Sequence, residues 1–550
     1  MYFPSIYQLK NKIARRVFIR RLKQARAHRR LDTDSVVRKR YYDFIRFLSA
    51  VSIRPLGIPV SAAAGIVPRS YRANLDLLIR QRLLHRNLYV HFFPQIMASA
   101  ADQNHPAIIP FPHEWRSCLQ QKGMNVQALQ STLYFIWGQV LEWISGVRCT
   151  LRLLLDSWRQ PEVPEGNYSL LVDFPSAAVC NEKSAAAGMK CFSTWYRNNS
   201  VRGESTNTVW IQVTDSHPTS LGDDQLVVHN YFPRLKNWGD RMIFLGKALG
   251  IIILTTGRWL KGSWWAPYIL TDAVRLAYCR TLGRQGMASK YVFNNSGWFI
   301  RPLWTHFSED LGADIVIFFY SANVHPLEYI DEESAPVMPG YQLMNWPQYL
   351  VWGQPQAQFI SNNCYNQNSI VKIVGPVPFT DIDTVIPVLP DNAIAVFDVT
   401  AQRTVSLSDR GIIADYYGED LVIAFVEQAY EAIKASGGTM VFKQKRDLPS
   451  ISSKKYLIFL EWLSGLPDVI MINPNVSAFR IIEHVTSVIS IPFTSTGLIA
   501  RSNMKFSAYF DPTMNLKKDN PGADNVPVLS GQEELISWLD SISSKDKKAT

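Results

Sequence analysis

The sequence predicts an α/β protein with two Rossmann-like domains that face each other across a cleft, preceded by a helical N-terminal extension. Three observations lead to this prediction. Apolar residues recur at helical spacing through residues 1–160, short apolar runs alternate with turn-rich segments from about residue 166, and a second, more regular α/β block follows a Pro-containing linker. The predicted regions are a basic arm (1–40), a helical region (41–165), a first Rossmann-like domain (166–380), a second one (381–535) and a polar tail (536–550).

The positive charge of the chain is concentrated in the arm. The 550 residues include 57 Lys and Arg and 46 Asp and Glu, a net charge of +11, and residues 10–40 alone hold 13 basic and two acidic residues. The remainder is neutral, which excludes a protein that is basic over its whole surface, such as a ribosomal protein. Ile6, Leu9, Ile13 and Val17 recur at steps of three and four, so the arm is predicted to be a basic amphipathic helix.

A basic amphipathic helix suits the anionic surface of a membrane. We therefore expect residues 10–40 to bind the inner face of the inner membrane, and the protein to be cytoplasmic and peripheral. The alternative is a solvated helix packed on the body. Nucleic-acid binding is disfavoured, because it usually comes with aromatic residues among the basic ones and with a recognisable reader fold.

Cysteine usage and apolar runs bear on the compartment and on membrane spanning. The six cysteines are scattered and form no C-x-x-C pair, so we expect reduced thiols in a cytosolic protein. The most apolar run, Ala248–Leu254, is bounded by Lys247 and Arg258. It is much shorter than the about 20 residues that span a bilayer, and we expect it to be a buried strand or helix.

The elements of the first half are predicted from apolar periodicity. One helical period runs through Val36, Val37, Tyr41, Phe44, Ile45 and Leu48, and another through Leu129, Leu133, Ile136, Val140 and Ile144. Buried parallel strands are expected at Ser169–Val172, Val209–Val213, Leu226–Val228, Tyr291–Phe293 and Ile315–Tyr320. Val371–Val377 and the prolines beside it are expected to end this domain and lead into the linker.

The second Rossmann-like domain is predicted as a regular alternation of strands and helices. Its expected strands are Ala393–Val399, Thr439–Lys443, Val469–Ile472, Val488–Ile491 and Phe506–Phe510. Its expected helices are Asp420–Ala435 (ended by two glycines), Tyr456–Leu463, Phe479–His484 and Thr494–Ser502. Ligands of such sheets bind at the carboxyl ends of the strands, so the cleft between the domains is the expected site.

Hydroxyl side chains stand at the junction of a strand and a helix in the second domain. Thr494, Ser495 and Thr496 follow the strand at Val488–Ile491 and open the next helix. Hydroxyls in this place cap the first N–H groups of a helix, and the partial positive charge of the same N-terminus favours phosphate. An ordinary cap with no ligand is the alternative.

Cations and a Pro-containing loop follow two neighbouring strands. Lys443, Lys445 and Arg446 come at the end of one strand, and Pro474 follows the strand Val469–Ile472. Lys and Arg side chains are suited to diphosphate and phosphodiester groups. Because the carboxyl ends of parallel strands share one edge of the sheet, these residues and the hydroxyls together predict a nucleotide-sugar site.

The run IPFTSTGLIA (residues 491–500) resembles the signature of bacterial polysaccharide-biosynthesis proteins named for their PFTS motif. The wider pattern is similar to the second domain of GT-B glycosyltransferases that use CMP-activated acidic sugars, such as sialic acid and Kdo. In those enzymes a K-x-H-P motif and a Ser/Thr pair flank the donor phosphate. Thr494, Ser495 and Thr496 match the Ser/Thr element and Lys443 matches the first residue of the other, whereas Lys445-Arg446 replaces its His-Pro pair.

The resemblance also implies roles for an acidic residue and for the first domain. Glu483 lies on the helix before the PFTS strand, where many GT-B enzymes have an acid that binds the ribose of the donor. The PFTS-type proteins have an element like Tyr320-Ser321-Ala322-Asn323, and Tyr320, Ser321 and Asn323 are predicted to form a polar rim for donor or acceptor. The likeness is good over residues 390–515, moderate over 290–380, and hardly extends to 1–160.

Acidic residues at strand ends of the first domain are candidates for the base that an inverting glycosyl transfer needs. Asp173 follows one strand and Asp215 another, and either is alternatively a turn or cap residue. A GT-B enzyme needs no metal ion to hold the phosphate, and neither Asp32-x-Asp34 nor Asp381-x-Asp383 follows a strand of a nucleotide-binding unit. No cofactor is expected, because the P-loop, dinucleotide, zinc-protease and α/β-hydrolase motifs are absent.

The predicted function is that of a metal-independent glycosyltransferase, of GT-B type and bacterial origin. It would add a sugar from a nucleotide donor, with a CMP-linked acidic sugar as the first candidate, to the glycan or lipid-linked glycan of a capsule, O-antigen, lipopolysaccharide or other surface polysaccharide. Two alternatives stay open: a UDP- or GDP-sugar donor, and a scaffold without catalytic activity in a polysaccharide-assembly complex.

Overall fold

Two β-sheets with helices around them form the body of the protein. The computed structural model describes residues 34–87, 92–162, 167–180, 182–199, 208–213, 219–220, 225–296, 299–402, 415–447 and 452–549. The predicted helix of the arm and the candidate base Asp215 lie outside the described residues.

The first sheet has eight strands. In chain order they are β1 (Tyr168–Phe174), β2 (Thr208–Val213), β3 (Thr219–Ser220), β4 (Gln225–Val228), β5 (Lys290–Asn294), β6 (Asp314–Phe318), β7 (Gln348–Val351) and β8 (Ile370–Ile373). In space they run β3-β4-β2-β1-β5-β6-β7-β8, and every pair is parallel except β3 with β4. All five residues of β5 are buried, as expected for a strand covered on both faces.

The second sheet has six strands, all parallel. They are β9 (Ala393–Phe397), β10 (Thr439–Lys443), β11 (Val469–Ile472), β12 (Ser487–Ser490), β13 (Phe506–Asp511) and β14 (Val528–Ser530). Their order in space is β11-β10-β9-β12-β13-β14. The chain therefore builds outward from β9 in one direction and then from β12 in the other. Such a reversal opens a crevice at the carboxyl ends of the two central strands.

Helices precede the first sheet and pack around both sheets. The N-terminal ones are α1 (Ser35–Ser52), α2 (Leu75–Asn87), α3 (Phe93–Ala101), α4 (His113–Gln121) and α5 (Ala128–Arg159). With the first sheet come α6 (Glu182–Ala186), α7 (Phe192–Asn198), α8 (Trp238–Leu260), α9 (Ala266–Leu282), α10 (Leu303–Asp310), α11 (Pro339–Gln342) and α12 (Gln354–Asn363). With the second come α13 (Glu419–Ala435), α14 (Lys454–Ser464), α15 (Ala478–Glu483), α16 (Ser495–Ser502) and α17 (Gly531–Ala549).

The predicted fold class is confirmed by these two sheets and by the helices before them. Every strand predicted from the sequence is observed, with ends that differ by a few residues. The strands β3, β7, β8 and β14 were not predicted. The edge strand β8 overlaps the predicted Val371–Val377 segment, and its residues are mostly exposed, so it lacks the buried apolar pattern by which the inner strands are recognised.

The predicted boundaries of the N-terminal arm and of the C-terminal tail differ from the structure. The last basic residues of the arm belong to α1, where Arg38 pairs with Glu332 at 2.7 Å and Lys39 with Glu333 at 3.5 Å. At the other end, residues 536–549 are part of α17, in which Leu539 is buried against the second domain. The prediction of a polar tail from residue 536 is therefore wrong: the sparse apolar residues of this segment lie on one helical face that packs.

The prediction that Ala248–Leu254 is buried is also wrong. The run lies in the 23-residue helix α8, whose most apolar stretch is only 22% buried. By its length and composition alone, this helix could cross a membrane. The apolar stripe of α5 likewise faces outward, with Leu129 74% and Leu133 57% exposed. Periodicity identified the helix α5, whereas the run in α8 was expected only to be a buried strand or helix. The opposite faces of both helices also carry residues suited to burial, and those are the faces that pack.

Two of the six cysteines are paired rather than reduced. The structure joins Cys180 to Cys191, 11 residues apart, and leaves Cys118, Cys149, Cys279 and Cys364 free. The expectation of six free thiols is wrong for this pair. The segment between β1 and α7 brings the two cysteines together, and their spacing in the sequence does not predict this contact.

Candidate active site

The loop between β12 and α16 carries the predicted hydroxyl residues at the switch point of the second sheet. The Thr494 hydroxyl donates to the Ile491 carbonyl at 2.8 Å, and the Thr496 hydroxyl lies 2.7 Å from the Ser490 hydroxyl. Thr494 is the N-cap residue of α16, yet its side chain makes no capping hydrogen bond. The expected capping role of this residue is wrong, and the positive end of α16 is not neutralised by it.

Backbone strain and close packing hold this loop in place. Phe493 has a φ of +60°, which is unusual for a bulky residue, and its ring lies 5.6 Å from that of Tyr509. The Tyr509 hydroxyl donates to the Thr494 carbonyl at 2.8 Å. A Cβ at Gly497 would lie 2.7 Å from the Tyr509 ring, so only glycine at this position lets α16 approach Tyr509 so closely. Strain maintained by surrounding contacts is common at functional sites.

Ser495 connects the second domain to the first. Its hydroxyl accepts from the Ala322 N–H at 3.1 Å and donates to the side-chain Oδ1 of Asn323 at 3.3 Å. A predicted donor-binding residue and a predicted cleft residue are thus in direct contact. Farther along the same boundary, the Asn520 amide donates to the Pro326 carbonyl at 3.2 Å. The carboxyl ends of the two sheets therefore face each other, as a cleft site requires.

Lys443 and Pro474 are also brought together, across β10 and β11. The Lys443 ammonium donates to the Pro474 carbonyl at 2.9 Å and to the Gln444 carbonyl at 3.3 Å. The side chain is buried, and burial lowers the pKa of Lys443 to about 8. The nearby carboxylate of Asp398 opposes that shift. Lys443 therefore ties two strand ends together while placing a positive charge at the rim.

Lys445 and Arg446 are positioned through their backbone. The Lys445 N–H donates to the Asp398 carboxylate at 2.8 Å, and the Arg446 N–H donates to the Thr400 hydroxyl at 2.9 Å. Their side chains are partly or fully exposed at the strand ends. The main chain of this basic segment is thus anchored to the loop after β9, and its two cationic side chains can reach a ligand at the rim.

Asp398 is a site residue that the sequence argument missed. Its carboxylate is 3% exposed and accepts from the Tyr456 hydroxyl as well as from the Lys445 N–H. Burial raises the pKa of Asp398, and these hydrogen bonds oppose the rise. The predicted strand Ala393–Val399 contained Asp398, so this residue was not recognised as one at a strand end. The observed strand ends at Phe397, and Asp398 directly follows it.

Glu483 lies away from this group. It ends α15 and pairs with Lys190 of the first domain at 3.2 Å, and the chain then enters β12 at its amino end.

Asp381, one of the D-x-D residues, is fully buried between the domains and accepts from the Lys190 and Ser477 N–H groups at 2.8 and 2.9 Å. Its contacts are those of a residue that joins the linker to both domains.

The first sheet presents polar strand ends to the same cleft. Asp173, at the end of β1, is exposed and has a φ of +60°. The Gln212 side chain accepts from its N–H at 2.7 Å, and the Asn294 amide donates to its carbonyl at 2.8 Å. The neighbouring Asn295 side chain accepts from the Tyr320 N–H at 3.1 Å. A row of amide side chains thereby connects Asp173 to the loop after β6.

The remaining predicted cleft residues lie in that loop. The Ser321 hydroxyl accepts from the Asn323 N–H at 3.3 Å, and the Ser321 carbonyl accepts from the Gln356 amide at 3.0 Å. Tyr320 packs its ring 5.3 Å from that of Phe379. Asp173 therefore lies at the end of β1, and Tyr320, Ser321 and Asn323 follow β6, with β5 between these two strands, whereas Asp215 lies outside the described residues.

A cavity of about 390 Å³ opens between the two sheets beside this loop. Asn323 of the first domain and Pro492, Phe493 and Thr494 of the second line it. The N-terminal helix α1 contributes Tyr41, Tyr42 and Ile45 to its wall. Helix α1 is not part of the predicted site, because its aromatic residues fit an ordinary helical period.

Comparison with known proteins adds the family. The family model described as "Polysaccharide biosynthesis PFTS motif protein" matches residues 244–539, more than half of the chain. The chain belongs to this family. A comparison with curated proteins found no match. The family match begins in α8 and contains the PFTS loop, the basic segment after β10 and the whole second sheet, whereas Asp173 and the N-terminal helices precede it.

Solved structures with a similar chain path are distant. UGT71G1 of Medicago truncatula, solved with UDP-glucose, is 9% identical over 69% of this chain and 90% of its own, with a TM-score of 0.34. UGT89C1 of Arabidopsis thaliana, solved with UDP-L-rhamnose, is 10% identical over 68% and 89%, with a TM-score of 0.38. UDP-GlcNAc 2-epimerase of Methanocaldococcus jannaschii is 11% identical over 68% and 92%, with a TM-score of 0.34. Because all three TM-scores are below 0.5, these structures are too distant to define the fold of the PFTS protein, and that fold is described from its own two sheets.

Proposed function

We propose that this PFTS-family protein is a glycosyltransferase that transfers a sugar from a nucleotide-activated donor to a growing polysaccharide. One observation carries the proposal. The hydroxyls of the PFTS loop and the uncapped N-terminus of α16 lie at the switch point of the second sheet. They share one edge of that sheet with the buried Lys443 and with the cations Lys445 and Arg446. Ser495 links this edge to the polar strand ends of the first sheet. A cleft of this kind suits a diphosphate or phosphodiester on one side and an acceptor on the other.

The second domain would bind the donor. Lys445 and Arg446 would pair with its phosphate oxygens, and the first N–H groups of α16 would donate to them. Lys443 would add positive charge while holding the Pro474 loop. These groups would stabilise the negative charge that builds up on the departing nucleotide, which is the step that electrostatic catalysis accelerates. In this proposal the cations do the work that a metal ion does in other transferases, and no cofactor takes part.

The first domain would supply the acceptor side. In an inverting reaction the acceptor oxygen attacks the anomeric carbon, the bond from that carbon to the phosphate oxygen breaks, and the nucleotide leaves with the electron pair. We assign the base that takes the proton of the acceptor hydroxyl to Asp173, which is exposed at the end of β1 on a strained backbone. Tyr320, Ser321 and Asn323 would position donor or acceptor at the facing rim.

The finer features of the proposal concern donor, acceptor and location. The donor is proposed to be a CMP-linked acidic sugar, with UDP- and GDP-sugars as the alternatives. The acceptor is proposed to be a glycan or lipid-linked glycan of a bacterial capsule, O-antigen or lipopolysaccharide. The reaction is proposed to take place at the cytoplasmic face of the inner membrane, to which residues 10–40 would contribute their positive charge.

Calorimetry with CMP, UDP and GDP tests the proposal. One nucleotide is expected to bind, and Ser495→Ala or Lys443→Ala is expected to weaken its affinity by about tenfold, the effect of losing one hydrogen bond to a charged group. Ser502→Ala is the matched control, because that hydroxyl lies at the other end of α16 and donates to the Ile499 carbonyl. If none of the three nucleotides binds at millimolar concentration, the transferase proposal is wrong and the scaffold alternative is favoured.

A further inference from the structure

Helices α5 and α8 lie side by side in antiparallel orientation at the surface of the protein. The Trp143 indole donates to the Thr256 hydroxyl at 2.9 Å, and the Trp259 indole donates to the Gln139 side chain at 2.7 Å. At the other end of the pair, the ring of Trp158 stacks on that of Trp238 at 6.2 Å. These contacts place the two helices in register over most of the length of α8.

The side of this helix pair that faces away from the body is apolar. Seven large apolar side chains of α5 and seven of α8 are exposed. Leu129 is 74% exposed, Ile253 69% and Leu260 81%. We call these fourteen side chains the outer face. Contiguous exposed apolar surface of this extent is characteristic of an interaction site and is not needed for folding.

The helix α8 cannot leave the body to span a bilayer in this structure. Its opposite side, which includes Phe244, Ala248, Ile251 and Thr255, is buried against the protein along its length. One apolar side is therefore used in packing and the other is exposed. If its exposed side meets a membrane, α8 lies in the plane of the interface and does not cross it.

The charge around the outer face favours an anionic membrane as its occupant. The segments 128–159 and 236–261 together hold eight basic and three acidic residues. Arg148, Arg159 and Lys261 are exposed, whereas the acidic Glu142 pairs with Arg86. Exposed tryptophans on the same face suit the headgroup region. A second copy of the chain would instead bring two positively charged faces together, which is unfavourable.

A cationic groove adjoins the outer face. It is a cavity of about 440 Å³ beside α8, and its lining includes the basic residues Arg72, Lys247 and Arg280 but no acidic residue. Ile251 and Leu254 of α8 form part of its apolar wall, and a Cβ at Gly250 would meet no atom within 4 Å, so this side of the helix is open. Three cations above an apolar wall fit the phosphate and the upper acyl chain of a phospholipid.

We propose that the outer face of α5 and α8 docks on an anionic bilayer, with its apolar side chains in the headgroup region and lipid phosphates bound by Arg72, Lys247 and Arg280. This surface is distinct from the N-terminal arm and does not depend on nucleotide binding. The helix pair would hold the body of the protein at a defined orientation on the membrane, which a terminal arm alone does not do.

Quenching of tryptophan fluorescence by brominated phosphatidylglycerol vesicles tests the proposal with the full-length chain. The outer face carries Trp137, Trp158 and Trp238, and residues 1–33 contain no tryptophan, so quenching reports on this face and not on the arm. The combined Trp137→Phe, Trp158→Phe and Trp238→Phe variant is expected to lose most of the quenching. Trp462→Phe, which changes a tryptophan 45% exposed on the second domain, is expected to retain it. Equal quenching in both variants, or none in the wild type, would overturn the proposal.

A binding measurement separates docking from folding and from self-association. The variant Ile253→Ser with Leu260→Ser should bind phosphatidylglycerol vesicles about tenfold more weakly, because two large apolar contacts are lost. Val385→Ser with Val388→Ser, at positions 89% and 97% exposed, is the matched control and should bind like the wild type. Equal melting temperatures would show that all variants fold. If the first variant binds vesicles normally but abolishes a dimer seen by sedimentation, the outer face is a self-association surface and the proposal fails.

Discussion

The buried lysine of the candidate site makes a quantitative prediction about pH. Burial lowers the pKa of Lys443 from 10.5 to about 8. Between these two values the unfolded chain binds a proton that the folded protein has lost, so raising the pH should stabilise the folded state. From pH 7 to pH 9.5 this lysine should add about 2 kcal/mol to the free energy of unfolding, at about 1.4 kcal/mol per pKa unit.

The measurement compares wild type with Lys443→Met, which keeps the length of the side chain and removes the titrating group. Urea unfolding of both proteins at several pH values should show the difference in stability shifting by about 2 kcal/mol in favour of the wild type as the pH rises. Competitive acylation of Lys443, followed by mass spectrometry, should show half-maximal reactivity near pH 8. Parallel pH curves for the two proteins, or half-reactivity near 10.5, would refute the argument that this lysine is desolvated.

Two further predictions concern Asp398 and α17. Asp398→Asn should lower the free energy of unfolding by about 2–4 kcal/mol and weaken nucleotide binding, since it removes the buried negative charge that attracts Lys443 and that accepts from the Lys445 N–H and the Tyr456 hydroxyl. Urea unfolding measures the first effect and calorimetry the second, and an unchanged stability would contradict the network around Asp398. Leu539→Ala should cost about 2–5 kcal/mol, because Leu539 is 2% exposed in the packed part of α17, whereas Ser537→Ala on the exposed side of the same helix should be nearly neutral. Equal stabilities of these two variants would show that the end of the chain is a tail after all.

Much of the second domain could be predicted because its signals are local. The strand ending at Lys443 and the strand before the PFTS loop are short buried runs that end in polar residues, and parallel strands bring such ends to one edge. The predicted bounds of β10 and β11 agree with the structure. The residues of the edge strand β8 are mostly exposed, so this strand has no buried apolar pattern from which it could be predicted.

Sequence alone determined the composition of the candidate site: hydroxyls, cations and a loop proline at the ends of consecutive parallel strands, with the positive charge of the chain concentrated at its N-terminus. Only the tertiary structure decided which of these residues meet. It placed Ser495 against Asn323, Lys443 against Pro474 and the missed Asp398 against Lys445 and Tyr456, left Glu483 elsewhere, and turned apolar sides of α5 and α8 outward. The physical reason is that periodicity and strand-end chemistry depend on neighbours along the chain. Burial and pairing depend on residues far away in sequence, and a helix with two apolar sides does not specify which one packs.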